Sequence, residues 1–154
     1  MSEQLTLREA VPDDAKALLD FLKKASQQTD FIVFDDIDGV TVAQEAEALD
    51  AIYQSDYDEL IVAILGDEVI GYCRIENTDD EKAEFGVVVD EGFWNNGIAS
   101  YLMEDALIWA KESPLFKIFL EVYKDNLAAI HVYQKYGFTT ELTKEKTLIM
   151  EKMV

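Results

Sequence analysis

Cysteine, long apolar runs and basic side chains are all scarce in this chain. The single cysteine, Cys73, excludes an internal disulfide and is typical of a reducing compartment. No apolar stretch approaches the roughly 20 residues that a membrane-spanning helix needs. The N-terminus, Met1 to Gln4, is polar and does not resemble a signal peptide. We therefore expect a cytoplasmic protein without a membrane partner.

The shortage of basic residues leaves a strong negative balance. The chain has 13 Lys and Arg against 32 Asp and Glu, a formal net charge of −19. Nucleic acids and anionic membranes both need clustered Lys and Arg, so this balance argues against either partner. It would attract cationic ligands, although acidity that serves only solubility stays an open alternative.

Length and apolar content predict one compact domain over residues 1–154. The chain is 49% apolar and shows no repeat or interdomain linker. Alternation and capping signals predict a series of strands and helices in a mixed sheet with helices packed on it, an α+β fold. The predicted strands are Leu5–Arg8, Leu60–Leu65, Val69–Ile75, Ala83–Val89, Lys117–Tyr123, Phe138–Leu142 and Thr147–Met153, and helices are predicted after Pro12, after a Thr41–Gln44 capping box, from Ile98 to Lys111 and between Asn126 and Gly137.

The stretch from Ala83 to Lys111 has the strongest functional signal. A strand runs into a glycine-bearing turn that opens a helix, so unpaired N–H groups and the helix dipole would favour an anion such as a phosphate. An ordinary strand-to-helix connection is the alternative. The three spaced glycines of a dinucleotide fold are absent, and Gly97 is followed by Ile98 rather than by the Lys of a P-loop.

A metal site is not expected. Asp36, Asp38, Gly39 and Glu45 occupy the third, fifth, sixth and twelfth positions of a calcium loop, but Phe34 stands where the first Asp ligand belongs.

Two segments further along the chain resemble a known family. Val89-x4-Trp94-x2-Gly97-x-Ala99 is followed by Leu120-x-Val122-x3-Asn126-x2-Ala129-Ile130-x2-Tyr133-x-Lys135-x-Gly137-Phe138. Together these look like the two signature motifs of the GNAT acetyltransferases. The resemblance implies a mostly antiparallel mixed sheet of six or seven strands, splayed between the fourth and fifth, with about four helices. It also implies an N-acetyltransferase that uses acetyl-CoA as cosubstrate.

The same resemblance assigns residues to the cofactor. Backbone amides from Trp94 to Ala99 would wrap the pyrophosphate, and main-chain groups of Val87 and Val89 would pair with the pantetheine arm. Asn126 would steady the far side of the site, and Tyr133 would lie near the sulfur. The cofactor-binding residues expected are therefore Val87, Val88, Val89, Trp94, Asn95, Asn96, Gly97, Ile98, Ala99, Ser100, Asn126 and Tyr133.

Acetyl transfer to an amine needs a neutral amine, donors for the developing oxyanion and a proton for the departing thiolate. Tyr133 is the candidate acid, because a phenol of pKa about 10 and a thiol of pKa about 8.5 can share a proton. A purely structural contact is its alternative role. A backbone N–H near Val88 is the candidate oxyanion donor. Glu84, on the same strand face as Gly86 and Val88, is the candidate base, with a water chain or an already neutral amine as alternatives.

Three further observations limit these assignments. His131 lies about 200° around the helix from Tyr133, which favours an exposed role. Cys73 lies in an apolar strand and reads as a buried, inert thiol. The loop Trp94–Gly97 has no basic residue where relatives usually have one, so we predict modest, salt-sensitive affinity for acetyl-CoA.

The acceptor amine stays open at this stage. The segment Phe31–Asp58 is expected to shape the acceptor side, and its aromatic and acidic residues could hold an organic cation or be core and solvated loop. These residues are Phe31, Phe34, Tyr53, Tyr57, Asp35, Asp36 and Asp38. A small-molecule amine and a protein or peptide amine are both compatible with the sequence as acceptors. A homodimer is also compatible with it. The alternative function is a catalytically silent CoA-binding or interaction module with the same fold.

Overall fold

The computed structural model describes residues 4–28, 39–79 and 81–154. The described part of the chain forms seven strands and four α-helices. The strands are β1 (Leu5–Glu9), β2 (Glu59–Leu65), β3 (Glu68–Asp79), β4 (Lys82–Val89), β5 (Lys117–Tyr123), β6 (Thr139–Thr143) and β7 (Thr147–Met153), and the helices are α1 (Ala15–Ala25), α2 (Val42–Gln54), α3 (Ile98–Glu112) and α4 (Leu127–Lys135). None of the helices in these residues is both long and apolar enough to span a membrane.

The seven strands form one sheet in the order β1-β2-β3-β4-β5-β7-β6. Neighbouring strands are antiparallel except for β4 and β5, which run parallel. This arrangement confirms the predicted α+β fold. β2, β3 and β4 form an antiparallel meander, and β6 and β7 form a closing hairpin.

Helices cover both faces of the sheet. On one face, α1 and α2 pack through Leu18 and Leu49 against Val62 and Val88. On the other, α3 and α4 pack against β3, β4, β5 and β7, and the large, fully buried side chains there are Ile70, Cys73, Ile75, Leu102, Met103, Ile118, Leu120, Phe138 and Met150. Because successive strand residues point to opposite faces, the central strands β2, β3 and β4 contribute to both cores.

Local sequence signals set most of the element ends. The Thr41 hydroxyl accepts from the Gln44 amide at 3.1 Å and the Gln44 side chain accepts from the Thr41 amide at 2.9 Å, the predicted capping box of α2. Gly137 has φ +95° after α4, a conformation that a side chain would strain.

The strand β3 is longer than the sequence predicts. It continues past Ile75 to Asp79, and Asn77 pairs with Ala83 of β4. The polar side chains there face solvent, and a backbone ladder does not depend on apolar side chains, so alternation alone underestimated this strand.

The fourth and fifth strands separate soon after they meet. Their pairing covers only Lys82–Glu84 of β4 and Lys117–Phe119 of β5. In the described part of the chain, Phe85–Val89 therefore has β3 on one side and no strand on the other. This gap is the splay that the family resemblance implied.

Candidate active site

A cavity of about 1240 Å³ passes through the gap between β4 and β5. Leu18, Leu22 and Ile52 line it on the face that carries α1 and α2, and Asn126 and Tyr133 line it on the other face. Sites for one small molecule usually enclose about 300–1,000 Å³, so this cavity has room for more than one reactant. It joins the two faces of the sheet at the point where the sheet is open.

The turn between β4 and α3 has an unusual backbone. Asn95 and Gly97 both have positive φ, at 66° and 78°. Gly97 is the N-cap residue of α3 and offers no side chain to the first amides of the helix. The early N–H groups of α3 are left without an intrahelical partner, with the positive end of the helix dipole behind them. Ile98, Ala99 and Ser100, which carry these amides, line the cavity.

Trp94 closes this turn over the end of β4. Its indole Nε1 donates to the Val89 carbonyl at 2.8 Å, and the Trp94 side chain is about half exposed, at 48%. The Val89 carbonyl is a main-chain group on the open edge of β4. A ligand that paired with this edge would meet the indole of Trp94.

Asp90 anchors the start of the turn from beneath. The residue is 4% exposed, and its carboxylate lies 2.6 Å from Lys24 Nζ of α1 and accepts from the Gly92 amide at 2.9 Å. Gln28 adds two contacts, since its Nε2 donates to Asp90 at 3.4 Å and its Oε1 accepts from the Glu91 amide at 2.9 Å. Burial alone would raise the pKa of Asp90, but these partners hold it below its usual value.

Asn126 has a clear structural role in addition to lining the cavity. Its side-chain oxygen accepts from the Ala129 amide at 3.3 Å and so caps α4. This contact fixes the start of the helix that carries Tyr133.

Tyr133 lies between the cavity and the core. Its ring stands edge-on to Phe85 at 6.4 Å between centroids and is tilted against Phe138 at 5.9 Å. Burial raises the pKa of Tyr133 to about 12, so its phenol is protonated throughout the neutral range. Tyr133 therefore packs against the core through Phe85 and Phe138 and also lines the cavity.

Glu84 lies on the opposite face of β4 from Tyr133. It is the last residue of β4 that pairs with β5, where its partner is Phe119, and it lines the cavity. Phe85 faces the core under α3 and α4, whereas Val88 faces the core under α1 and α2. The predicted alternation of Glu84, Gly86 and Val88 against Phe85, Val87 and Val89 is therefore confirmed.

Comparison with known proteins assigns this architecture to a family. Residues 15–138 match the model of the acetyltransferase (GNAT) family. The chain belongs to the GNAT family. The match covers most of the chain and includes both motifs that carried the resemblance.

Individual relatives of this GNAT protein agree with the assignment. The L-amino acid N-acetyltransferase AaaT of Escherichia coli K12 is 35% identical over 94 residues, 56% of each chain. The match therefore spans about half the length of that relative. A GNAT acetyltransferase structure from Streptococcus pneumoniae is 31% identical with a TM-score of 0.90, covering 98% of this chain and 100% of that one. A putative acetyltransferase from Salmonella typhimurium, solved with its cofactor acetyl-CoA, has a TM-score of 0.81 at 18% identity and covers 97% and 94% of the two chains. This last likeness is one of fold.

Cys73 and His131, which the sequence analysis assigned no catalytic role in the GNAT site, have the predicted burial and exposure. Cys73 is buried, its sulfur lies 3.6 Å from the Leu102 carbonyl oxygen, and burial raises the pKa of its thiol. His131 is exposed and is not among the residues that line the cavity. The described residues contain no group of three or more His, Cys, Asp or Glu side chains that could hold a metal. Of the calcium-like positions, Phe34, Asp36 and Asp38 lie outside the described residues.

Sequence reasoning missed the side chains that approach the GNAT site from other elements. Lys24 of α1 and Gln28, just after α1, hold the turn after β4 through Asp90 and Glu91. Arg74 of β3 lines the cavity beside the gap. None of these lies in a motif, and only the pairing of β3 with β4 and the packing of α1 bring them to the site.

The predicted acceptor segment is only partly described. Tyr53 and Tyr57 are exposed, at 51% and 37%, and neither is among the residues that line the cavity. For these two tyrosines an aromatic pocket for a cation is not supported. Phe31, Phe34, Asp35, Asp36 and Asp38 lie outside the described residues.

Proposed function

We propose that this GNAT protein transfers the acetyl group of acetyl-CoA to a primary amine by direct attack in a ternary complex. The observation that carries the proposal is the cavity through the gap between β4 and β5, with the open N-terminus of α3 at its edge. A structural neighbour from Salmonella typhimurium holds acetyl-CoA and one from Thermoplasma acidophilum holds coenzyme A. The fold they share with this chain supports the same cosubstrate here.

The cofactor would lie across the turn and along the edge of β4. Backbone amides from Trp94 to Ser100 suit the pyrophosphate, because unpaired N–H groups and a helix dipole stabilise a bound anion. The main-chain groups of Val87 and Val89 face the gap, since those of Val88 pair with Tyr72 of β3, and they suit the amide groups of the pantetheine arm. The indole of Trp94 would give up its bond to the Val89 carbonyl as the arm pairs with the strand, and Asn126 would flank the arm from β5's side of the gap.

The positions of Tyr133 and Glu84 suit the two proton transfers. The amine would enter from the face that carries α1 and α2, where Glu84 lies, and the thiolate would leave toward the face that carries Tyr133. A base on the entry side and an acid on the exit side match direct attack through the gap. The Asp90 amide donates to the Ile70 carbonyl and Val88 pairs with Tyr72, so the Val88 amide faces β3 and the neighbouring amides of Val87 and Val89 face the gap. One of these two is the proposed donor to the oxyanion.

The raised pKa of Tyr133 refines its role. A phenol of pKa about 12 is a weaker acid than a free thiol of pKa about 8.5, so complete transfer to a solvated thiolate is uphill. A hydrogen bond to the charge that develops on sulfur does not have this cost. Tyr133 therefore donates a hydrogen bond as the carbon–sulfur bond breaks and gives up its proton only to a thiolate still held in the site.

Release of free thiol from acetyl-CoA in the presence of an amine panel tests the activity. We expect release with at least one amine and measurable CoA binding by calorimetry. CoA binding without release for any amine would instead support a catalytically silent module. If the protein neither binds CoA nor releases free thiol, both functions are overturned.

Two variants test the roles of the acid and the base. Tyr133→Phe keeps the ring contacts with Phe85 and Phe138 but removes the hydroxyl, so we expect kcat to fall by roughly 10²-fold or more with CoA affinity unchanged. Glu84→Gln should lower kcat/KM most at low pH, where the amine is protonated, and should leave it unchanged where the amine is already neutral. An unaltered rate in Tyr133→Phe would remove Tyr133 from the mechanism, and a pH-independent loss in Glu84→Gln would argue against the base.

A further inference from the structure

We propose that the acceptor amine also carries a carboxylate, as an α-amino acid with an apolar side chain does, and that Arg74 binds this carboxylate. The inference rests on the proposed function, because it concerns the acceptor half of the same cavity. It assigns a specificity-determining role to a residue of β3 that belongs to neither signature motif.

Arg74 lies beside the gap. Its partner on β4 is Gly86, so it shares the face of Glu84, on the side of α1 and α2. One guanidinium nitrogen donates to Glu76 at 2.8 Å, and both side chains are about half exposed. Glu76 is not among the cavity-lining residues, whereas Arg74 is. An exposed pair restrains the guanidinium only weakly, and a guanidinium has five N–H donors, so others are left for a carboxylate in the cavity.

Arg74 is the only Lys or Arg among the described residues that line the cavity. The acidic lining residues are Glu45, Glu84 and Glu121, and Glu121 already accepts from Thr147 at 2.6 Å and lies 3.4 Å from Lys144 Nζ. A polyamine would place a second cation near Arg74, and this repulsion would select against it. A carboxylate at the same position would be attracted.

The floor of the cavity beside Arg74 is open. A Cβ built on Gly86 would meet no atom within 4 Å. Gly86 is the residue between Arg74 and the unpaired edge of β4, so no side chain separates Arg74 from the gap. Glu84 lies on the same face of β4 as Gly86. An α-amino acid, whose amine and carboxylate share one carbon atom, could then place its amine near Glu84 while its carboxylate binds Arg74.

The walls above this floor are largely apolar. They are formed by Leu18 and Leu22 of α1, by Ala48 and Ile52 of α2, and by Tyr72 of β3. Glu45 also faces this space, and burial raises the pKa of its carboxyl, which weakens the case for a cation there. An apolar amino-acid side chain would be stabilised against these walls.

Matched pairs of acceptors test the proposal. L-Leucine and L-leucinamide share a side chain and differ in the carboxylate, which also makes the leucine amine more basic, so kcat/KM is compared per neutral amine. We expect kcat/KM for leucine to exceed that for leucinamide by roughly ten- to a hundredfold, since hydrogen bonds to charged groups contribute about 1.5–3 kcal/mol. Arg74→Gln should reduce this ratio to near one, and Arg74→Lys should restore part of it. Lys16→Gln, which removes a cation from an exposed ion pair on α1, should leave the ratio unchanged.

The outcomes separate this inference from the proposed function. If amines are acetylated but leucinamide, spermidine or a peptide N-terminus is preferred to leucine, the carboxylate role of Arg74 is wrong and the acetyltransferase function stands. An acid-to-amide ratio unchanged in Arg74→Gln would also overturn it. If no amine is acetylated, calorimetry of leucine and leucinamide on the CoA-saturated protein still tests the site. Equal or absent binding of the two would then refute the proposal, and preferential binding of leucine that is lost in Arg74→Gln would support it.

Discussion

Replacing Asp90 with asparagine should loosen the turn that we assign to the pyrophosphate of acetyl-CoA. Asp90 is 4% exposed and ties three separate groups together, namely Lys24 of α1, the Gly92 amide and the Gln28 side chain. Asparagine has almost the same shape and keeps one acceptor oxygen. The change therefore removes the charge and creates no cavity.

The magnitude follows from the contacts that change. A hydrogen bond to a charged group contributes about 1.5–3 kcal/mol and a neutral one about 0.5–1.5 kcal/mol, so the free energy of unfolding should fall by about 1–2 kcal/mol at pH 7. For a domain of this size each kcal/mol corresponds to roughly 2–4 °C in Tm. Because the loosened turn must be reordered when the pyrophosphate binds, we also expect weaker CoA binding.

The pH dependence separates the lost charge from a simple steric effect. The pKa of Asp90 is lowered in the folded protein, so its contribution is present above the unfolded value of about 3.9 and is lost as the pH falls through the folded pKa. The stability difference between the native protein and Asp90→Asn should be constant near neutral pH. It should shrink below about pH 4.

Chemical denaturation from pH 3 to pH 8 and calorimetric titration with CoA measure the two effects. Asp20→Asn is the matched control, because Asp20 pairs with Lys16 on the exposed side of the same helix α1, and exposed pairs contribute little. Equal stability and equal CoA affinity in Asp90→Asn and the control would refute the anchoring role. A stability loss with unchanged CoA affinity would confine Asp90 to the fold.

Three further predictions concern the rest of the molecule. CoA affinity should fall steeply with added salt, because Trp94–Gly97 contains no cation and exposed dipole contacts are screened. Titrations with CoA at several salt concentrations measure this effect. An affinity that does not change with ionic strength would contradict it. Cys73 should react with a thiol reagent only after unfolding, since it is buried and its thiol pKa is raised, and a native-state reaction would show that α3 opens. Burial beside Glu9 raises the pKa of Glu59 to about 8. The folded protein therefore favours the protonated carboxyl of Glu59, and stability is lost as the pH rises from about 4.3 through 8. Glu59→Gln should therefore gain stability relative to the native protein over that range in pH-dependent unfolding, and no relative gain would show that the pair does not titrate as described.

Most of the fold could be predicted because its signals are local. The Thr41–Gln44 capping box, the strand Lys117–Tyr123 and the Asn126 cap each depend on residues close together in sequence, and each is confirmed. The extension of β3 to Asp79 was missed, because it is held by backbone pairing with β4 and not by apolar side chains. Alternation reads side-chain burial, so it cannot detect a strand whose side chains face solvent.

The same distinction between local and long-range signals applies to the candidate site. Residues in the motifs, such as Gly97, Asn126 and Tyr133, could be predicted from the family resemblance because the motif spacing lies within one loop or one helix, and all three line the cavity. Arg74 reaches the cavity through the pairing of β3 with β4, and Lys24 reaches the turn through the packing of α1. Such approaches depend on the register between strands and on helix packing, which no spacing in one segment encodes.

The contacts of Asp90 also change how the absence of a basic residue in Trp94–Gly97 should be understood. From the sequence, Asp90 and Glu91 add negative charge just before the loop that we propose binds the diphosphate. In the structure Lys24 Nζ lies 2.6 Å from the Asp90 carboxylate. The Lys24 ammonium therefore offsets much of the negative charge of Asp90. The diphosphate would then meet the amides and dipole of α3 without a strong opposing field from Asp90, and Lys24 also attracts the Glu91 carboxylate. Removing Lys24 should therefore weaken CoA binding through Asp90, although Lys24 itself is not among the residues that line the cavity.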